Sequence, residues 1–295
     1  MSSTAPEDPF TAHRGLLFTV AYEILGSAAD AEDVLQESWL RWAAADRADV
    51  RDPRAYLVRI VTRQSLNQLR TVSRRREEYI GPWLPEPLLT TPDVADDVVL
   101  AENVSVAMLT VLETLGPTER AVFVLREVFD VPFDEIADAV GKTPAAVRQI
   151  SHRAHEHVAA RRPRIEVATS EHDLAVRRFI EVMNTGDVQS LMDVLAPDVV
   201  SVTDSGGLVR GAARRPLHGA DRVVAFLAGT IAKLDEAYDV IPIQINGTLA
   251  AGIRVGGRLQ AAVSFAVEDG RIAQVFSVAN PQKLAALDAE TRLAR

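Results

Sequence analysis

Apolar residues recur at three- and four-residue spacings through most of the first 160 positions, the period of helices with one buried side. Leu16, Leu17, Val20, Ala21, Ile24 and Leu25 predict a helix that Gly26 closes. From Asp30 to Trp42 a second helix is expected, with Ala31, Val34, Leu35, Ser38, Trp39 and Trp42 as its buried side. Asp30, Asp33 and Glu37 then form an acidic stripe on another side of that helix. Asp52-Pro53 is an N-cap followed by a proline suited to the first turn, so a third helix starts there. Its apolar positions are Leu57, Ile60, Val61, Leu66, Leu69 and Val72. The period fails from Tyr79 to Asp97, where four prolines fall, and this stretch reads as a semi-extended linker. Trp83, Leu84, Leu88 and Leu89 are too apolar for a free tether, so part of it is expected to dock. Helices are predicted again over about Val99–Leu115 and Thr118–Phe129, with Gly116-Pro117 between them.

The sharpest pattern lies between Val131 and Val158. Ile136, Ala137 and Val140 give one short apolar face, and Gly141 follows as the residue that ends a helix at least cost in the left-handed conformation. Thr143 is a good N-cap, Pro144 fits the first turn, and Val147, Ile150, Ala154 and Val158 recur at three and four. This is the sequence form of a helix-turn-helix, whose second helix lies in a DNA major groove. Its outward positions are Ala145, Arg148, Gln149, His152 and Arg153. Arg and Gln can bond guanine and adenine edges in pairs, each such contact contributing about 1–3 kcal/mol of discrimination.

From about Ser170 the pattern changes. Two helices flank Asn184-Thr185-Gly186-Asp187, Val199–Thr203 is a β-branched run, and Ala220–Leu234 is another helix. Strands are predicted over Tyr238–Ile245, Leu249–Val255, Leu259–Val267 and Ile272–Val278, with Asp269-Gly270 a strong hairpin signal. Helices followed by an antiparallel meander imply an α+β domain with a curved antiparallel sheet around a helix. The whole is a multidomain chain: helical domains over residues 8–78 and 99–165, a linker over 79–98, and the α+β domain over 170–290.

Charge changes the picture locally. The net charge of −9 argues against bulk attraction to nucleic acid. Yet residues 51–76 carry eight arginines against one acid, Asp52. On an ideal helix Arg59, Arg63, Arg70 and Arg74 fall within roughly 60° of one another, with Asn67 beside them. Such a line of like charges needs an anion opposite, and a phosphate backbone is the natural one. Cysteine is absent, which removes disulfides, thiolate catalysis and cysteine-ligated zinc, and no metal or cofactor is called for. Neither a secretory signal in MSSTAPEDPF nor an apolar run of about eighteen residues is seen, so a cytoplasmic protein with no membrane partner is expected.

Three features in fixed order, Asp30-Ala31-Glu32-Asp33-Val34-Leu35-Gln36-Glu37, Asp52-Pro53-Arg54-Ala55-Tyr56-Leu57 and the Val131–Ala154 motif, resemble the two-domain core of bacterial extracytoplasmic-function (ECF) sigma factors. The resemblance covers about residues 10–162. Gly81-Pro82-Trp83-Leu84-Pro85-Glu86-Pro87-Leu88 is similar to the linker of the SigJ-like subgroup, whose C-terminal extension is SnoaL-like (NTF2-like). Asn184-Thr185-Gly186-Asp187, Ala196-Pro197-Asp198-Val199 and Asn280-Pro281-Gln282-Lys283-Leu284 resemble that extension, with Gln282 in place of an aspartate. Asp204-Ser205-Gly206-Gly207-Leu208 stands where one branch has Asp-Gly-Gly-Gly-Lys.

The resemblance implies a non-enzymatic transcription initiation factor with no catalytic residues. Asp30, Asp33, Gln36 and Glu37 would bind core RNA polymerase at its clamp, with the flap as a second contact. Tyr56, Arg59, Arg63, Asn67, Arg70 and Arg74 would engage the −10 element of the promoter DNA. Thr143, Arg148, Gln149, His152 and Arg153 would read the −35 element. The linker would thread near the polymerase active centre, with Glu86, Asp93, Asp96 and Asp97 mimicking nucleic-acid charge. The SnoaL-like domain would regulate in cis in place of an anti-sigma factor, through Trp83, Leu84, Pro85, Asn280, Pro281, Lys283 and Leu284. A small-molecule ligand in its cavity could bias that arrangement. Two other readings compete: a ligand-responsive helix-turn-helix regulator, and a SnoaL-like enzyme fused to a DNA-binding module. The enzyme reading nominates Asp204 and His218 as an acid/base pair around an apolar cavity.

Overall fold

The computed structural model describes residues 8–46, 50–91, 98–161, 169–288, 290–291 and 293–294. The chain divides into two compact units, one of residues 1–75, 112–160 and 292–295, the other of 76–111 and 161–291.

The first unit is helical. Helices Arg14–Leu25, Ala28–Ala44 and Pro53–Glu77 form where the apolar period places them. Ser27 caps the second by accepting Asp30 N–H, and Asp52 caps the third by accepting Ala55 N–H. The first of these is buried nearly all round, from Leu16 to Leu25. The helix expected over Thr118–Phe129 is α-helical only over Pro117–Phe123 and widens to a π turn over Val124–Val128. The turn closes where Val131 N–H reaches back to the Leu125 carbonyl and Asp130 takes a positive φ of 48°. Helices Phe133–Val140 and Pro144–Ala159 complete the helix-turn-helix, with Gly141 at φ 68° and the Thr143 side chain accepting Ala146 N–H.

In the second unit, helices Thr169–Thr185, Val188–Val194 and Ala220–Ile231 pack on a six-stranded sheet of order β2-β1-β6-β5-β4-β3. The strands are β1 Leu195–Asp204, β2 Leu217–His218, β3 Tyr238–Ile245, β4 Thr248–Val255, β5 Arg258–Glu268 and β6 Arg271–Val278. The sheet is mixed rather than wholly antiparallel, because β1 runs parallel to β6. A parallel neighbour requires a crossover, and helix Ala220–Ile231 with β3, β4 and β5 supplies it. Bulges between Ile253 and Arg254 and between Ala266 and Val267 bend the strands. The hairpins β3–β4 and β5–β6 turn on Asn246-Gly247 and Asp269-Gly270, all at positive φ, the type that matches strand twist.

One face of the sheet packs on the three helices through Val176, Phe179, Val223, Val263 and Phe265. The other face carries Ile245, Ala250, Ala266, Phe276 and Val278, and these pack against Leu84 of the linker and Val106 and Ala107. The helix expected over Val99–Leu115 is two, Val98–Val104 and Val106–Leu112, because Ser105 accepts Met108 N–H on its hydroxyl and so starts a new helix.

Candidate functional site

Helix Ala28–Ala44 shows what burial does to an acidic stripe. Asp33, Gln36 and Glu37 are exposed. Asp30 is not part of that face: it is 8% exposed, and its carboxylate accepts the Gln68 side-chain amide at 2.9 Å. Trp39, expected inside, is 49% exposed, and Leu40 beside it 52%. The outer face therefore joins acids to an aromatic and an aliphatic side chain, a composition suited to a protein partner. Glu37 pairs with Arg41 at 3.0 Å. Trp42, by contrast, is buried and donates its indole N–H to Asp8.

Along helix Pro53–Glu77, Arg63, Asn67 and Arg70 are exposed, and Tyr56 and Arg59 half-buried. The Arg59 guanidinium lies 5.1 Å from the Tyr56 ring centre, and Tyr56 packs at 5.9 Å against Trp42. Arg70 bonds the Asn67 side chain. Arg63 reaches the Asp138 and Ala139 carbonyls at 2.6 and 3.4 Å, at the last turn of helix Phe133–Val140. A cation there meets the unsatisfied carbonyls and the negative end of the helix dipole. The Arg74 side chain lies outside the described residues, as do Asp93, Asp96 and Asp97 of the linker.

Of the second helix of the helix-turn-helix, Thr143, Ala145, Arg148, Gln149, His152 and Arg153 are exposed, while Val147, Ser151, Ala154 and Val158 are buried. The outward residues thus share one side at spacings of three and four, unobstructed within this unit. The Arg148 guanidinium rests 5.6 Å from the Phe133 ring centre, which orients it.

A polar node in the second unit joins residues that are far apart in sequence. Asp204, at the end of β1, is fully buried. Its carboxylate accepts the Tyr79 hydroxyl at 2.5 Å, Leu84 N–H at 2.8 Å and the Lys283 ammonium at 2.7 Å. The Lys283 ammonium also bonds the Leu84 carbonyl and lies 4.0 Å from the Trp83 ring centre. Asn280 donates to the Tyr79 hydroxyl and caps the helix Pro281–Leu284 by accepting Gln282 N–H. The residue at 282 enters this cap through its backbone. Burial first, and then the bond to Asp204, raise the Tyr79 phenol far above its ordinary pKa. Further along, the Asn246 side chain accepts Leu88 N–H and donates to the Val104 carbonyl. Leu84, Pro85 and Leu88 are buried and Trp83 half-buried. Tyr79 and Asn246 carry no sequence signal for these roles beyond the hairpin Asn-Gly.

The acid/base pair of the enzyme reading does not form. Asp204 is saturated by four donors, while His218 is exposed on the edge strand β2, opposite Val200. The apolar cavity, about 210 Å³, is lined by Met183, Leu191, Val224, Leu227, Ile231 and Tyr238, and neither residue reaches it. Asp187 borders it with its carboxylate held by Ser190.

An arginine-lined helix, a helix-turn-helix whose second helix exposes Arg148, Gln149 and Arg153, and an α+β domain that binds its own linker are together the build of a DNA-binding transcription factor. Residues 10–75 match Sigma-70 region 2, 105–158 match Sigma-70 region 4, and 176–275 match the SnoaL-like domain. The chain is 37% identical to ECF RNA polymerase sigma factor SigJ of Mycobacterium tuberculosis, over 93% of this chain and 91% of that one. It is 32% identical to a probable ECF sigma factor, SigI, of the same species, over 95% of this chain and 94% of that one. The crystal structure of SigJ matches with a TM-score of 0.76 and 36% identity, covering 95% of this chain and 98% of that one. The protein belongs to the extracytoplasmic-function sigma factors and carries a C-terminal SnoaL-like domain. It is therefore a partner of RNA polymerase and promoter DNA and not an enzyme. Among the described residues no helix is long and apolar enough to cross a membrane.

Proposed function

We propose that this sigma factor works in the cytoplasm and is held by its own linker in a state the polymerase must rearrange. In this reading Asp33, Gln36 and Glu37, with Trp39 and Leu40 as the apolar part of the patch, dock on the polymerase clamp. Asp30 acts beneath them by fixing Gln68. Tyr56, Arg59, Arg63, Asn67, Arg70 and Arg74 engage the −10 strand, and Thr143, Arg148, Gln149, His152 and Arg153 read the −35 duplex. Neither contact needs high affinity alone, because tethering both to one polymerase raises the effective concentration of the second.

Two observations support the restraint. Arg63, a −10 residue, is hydrogen-bonded to the helix-turn-helix that reads −35. Elements about 25 base pairs apart are separated by roughly 85 Å of duplex, at 3.4 Å per pair. The Arg63 contact is incompatible with that span and has to break. The observation that carries the proposal is the linker's attachment through Asp204 and Lys283, since a linker held over Tyr79–Thr90 cannot thread through the polymerase. The SnoaL-like domain thereby acts in cis in place of a separate anti-sigma factor.

The test is run-off transcription with core polymerase and the full chain carrying Lys283→Ala with Asn280→Ala. Freeing the linker changes the output and the promoter preference; unchanged transcription at every promoter refutes regulation in cis. In parallel, Asp33→Ala with Glu37→Ala abolishes co-elution with core polymerase, and retained binding refutes the assignment of that face.

A further inference from the structure

The loop between β1 and β2, together with β2, carries a basic surface. Residues 205–220 contain Arg210, Arg214, Arg215 and His218 and no acid, in a chain of net charge −9. Those three arginines and His218 are exposed. No ion pair connects these arginines to any other described residue, in contrast to Arg254, which is clamped by Asp239. The loop is also built onto the linker. Gly207, at φ 73°, lets the Ile80 side chain pack so closely that a Cβ would lie 2.8 Å from it, and the Arg214 carbonyl faces Gly81. Leu208 and Val209 in the same loop are 57% and 38% exposed, and residues 205–220 contain no Phe, Tyr or Trp.

We propose that Arg210, Arg214 and Arg215 form a third contact with promoter DNA, made to the phosphates of the duplex without reading bases. The inference rests on the sigma-factor reading above. Three exposed guanidinium groups carried within residues 210–215, with no ion pair to a described residue, repel one another until an anion neutralises them, and the polyanion of this protein's working complex is DNA. A single strand is disfavoured because residues 205–220 carry no Phe, Tyr or Trp, and the His218 imidazole is the one ring they offer for a base to stack on. A contact of this kind adds affinity at little cost, because the two reading helices already hold the promoter. Because the same loop holds the linker through Gly207 and Ile80, its occupancy is coupled to whether the linker is docked.

The test uses holoenzyme assembled from the full chain and core polymerase, with a labelled promoter duplex titrated at salt concentrations from 50 to 200 mM. Each phosphate contact contributes about 0.9 to the slope of log affinity against log salt. The Arg210→Ala, Arg214→Ala, Arg215→Ala variant is expected to lower that slope by up to about 2.7 units. The affinity lost over this salt range is then roughly 40-fold smaller than for the unaltered chain. The triple lysine variant keeps the slope, since phosphate responds to charge, and affinity for core polymerase stays constant in both. An unchanged slope overturns the inference while leaving the sigma-factor reading intact. Loss of core binding instead overturns it in favour of an acidic protein surface. Failure of the unaltered chain to form a promoter complex overturns both readings.

Discussion

Glu23 lies in the middle of helix Arg14–Leu25 with no exposed surface, and neither carboxyl oxygen has a hydrogen-bond partner among the described residues. Burial is the main influence and raises its pKa from 4.5 to about 8, with the Arg120 guanidinium pulling the other way. Arg120 is itself buried, donating to the Glu23 backbone carbonyl and pairing with Glu113. Because the folded pKa is raised, the folded protein keeps a proton that the unfolded chain loses above pH 4.5. Stability is fully present below that pH and declines up to about pH 8, by up to about 1.4 kcal/mol per pH unit. Glu23→Gln stays neutral throughout, so its urea-denaturation stability has a flatter dependence between pH 5 and 8 than the parent. Equal slopes in the two proteins contradict the buried acid. At the other node, Lys283→Ala leaves the Asp204 carboxylate buried without its cation and costs about 3–5 kcal/mol, read as a lower denaturation midpoint.

At the scale of elements, the linker behaves as part of the sheet's second layer. Leu84 and Leu88 are each 1% exposed, and burial of such a side chain contributes about 1.5–3 kcal/mol. Leu84→Ala is therefore expected to cost about 2–5 kcal/mol of docking and to expose residues 79–91 to limited proteolysis. Gly207→Ala tests the same attachment from the loop side. Its Cβ would meet Ile80 at 2.8 Å, and the φ of 73° is one that alanine adopts only under strain. The linker of that variant is cleaved faster although nothing within the linker has changed. Cleavage at the parental rate in both variants means the linker is not held where the hydrogen bonds place it. In the helical unit, Arg63→Ala removes the bonds to the Asp138 and Ala139 carbonyls. A pair of dyes on the arginine helix and the helix-turn-helix reports a longer mean distance in that variant.

Over the whole molecule, the division into units cuts across the expected domain boundaries. Residues 76–111 group with 161–291, so the linker and the two helices after it share a unit with the SnoaL-like domain. Truncation after residue 164 consequently does more than delete a regulator. It uncovers Leu84, Leu88 and Val106, and the shortened chain is expected to bind a hydrophobic dye and aggregate more readily than the full one. Equal dye binding by both chains is the contrary result.

Much of this protein was legible in its sequence because much of it is locally determined. The helix-turn-helix depends on Gly141, Thr143 and Pro144 acting on residues within one turn, and the hairpins on adjacent residue pairs that accept positive φ. The order of the helices and, to within one residue, the ends of β3 to β6 followed from period and turn chemistry alone. The parallel pairing of β1 with β6 did not, since no pattern within either strand distinguishes a parallel neighbour. Nor did the exposure of Trp39 and burial of Asp30, because a helix with apolar residues on most of its circumference does not say which side its neighbours cover. The Asp204 node joins Tyr79 to partners 125 and 201 positions away, and Arg63 bonds carbonyls 75 and 76 positions on. Sequence alone determined the arginine-lined helix and the helix-turn-helix, and the kinds of side chain they carry. Which of those side chains stand free, and which are held by a distant segment, was decided by the tertiary structure, because a hydrogen bond between remote residues leaves no period in the chain.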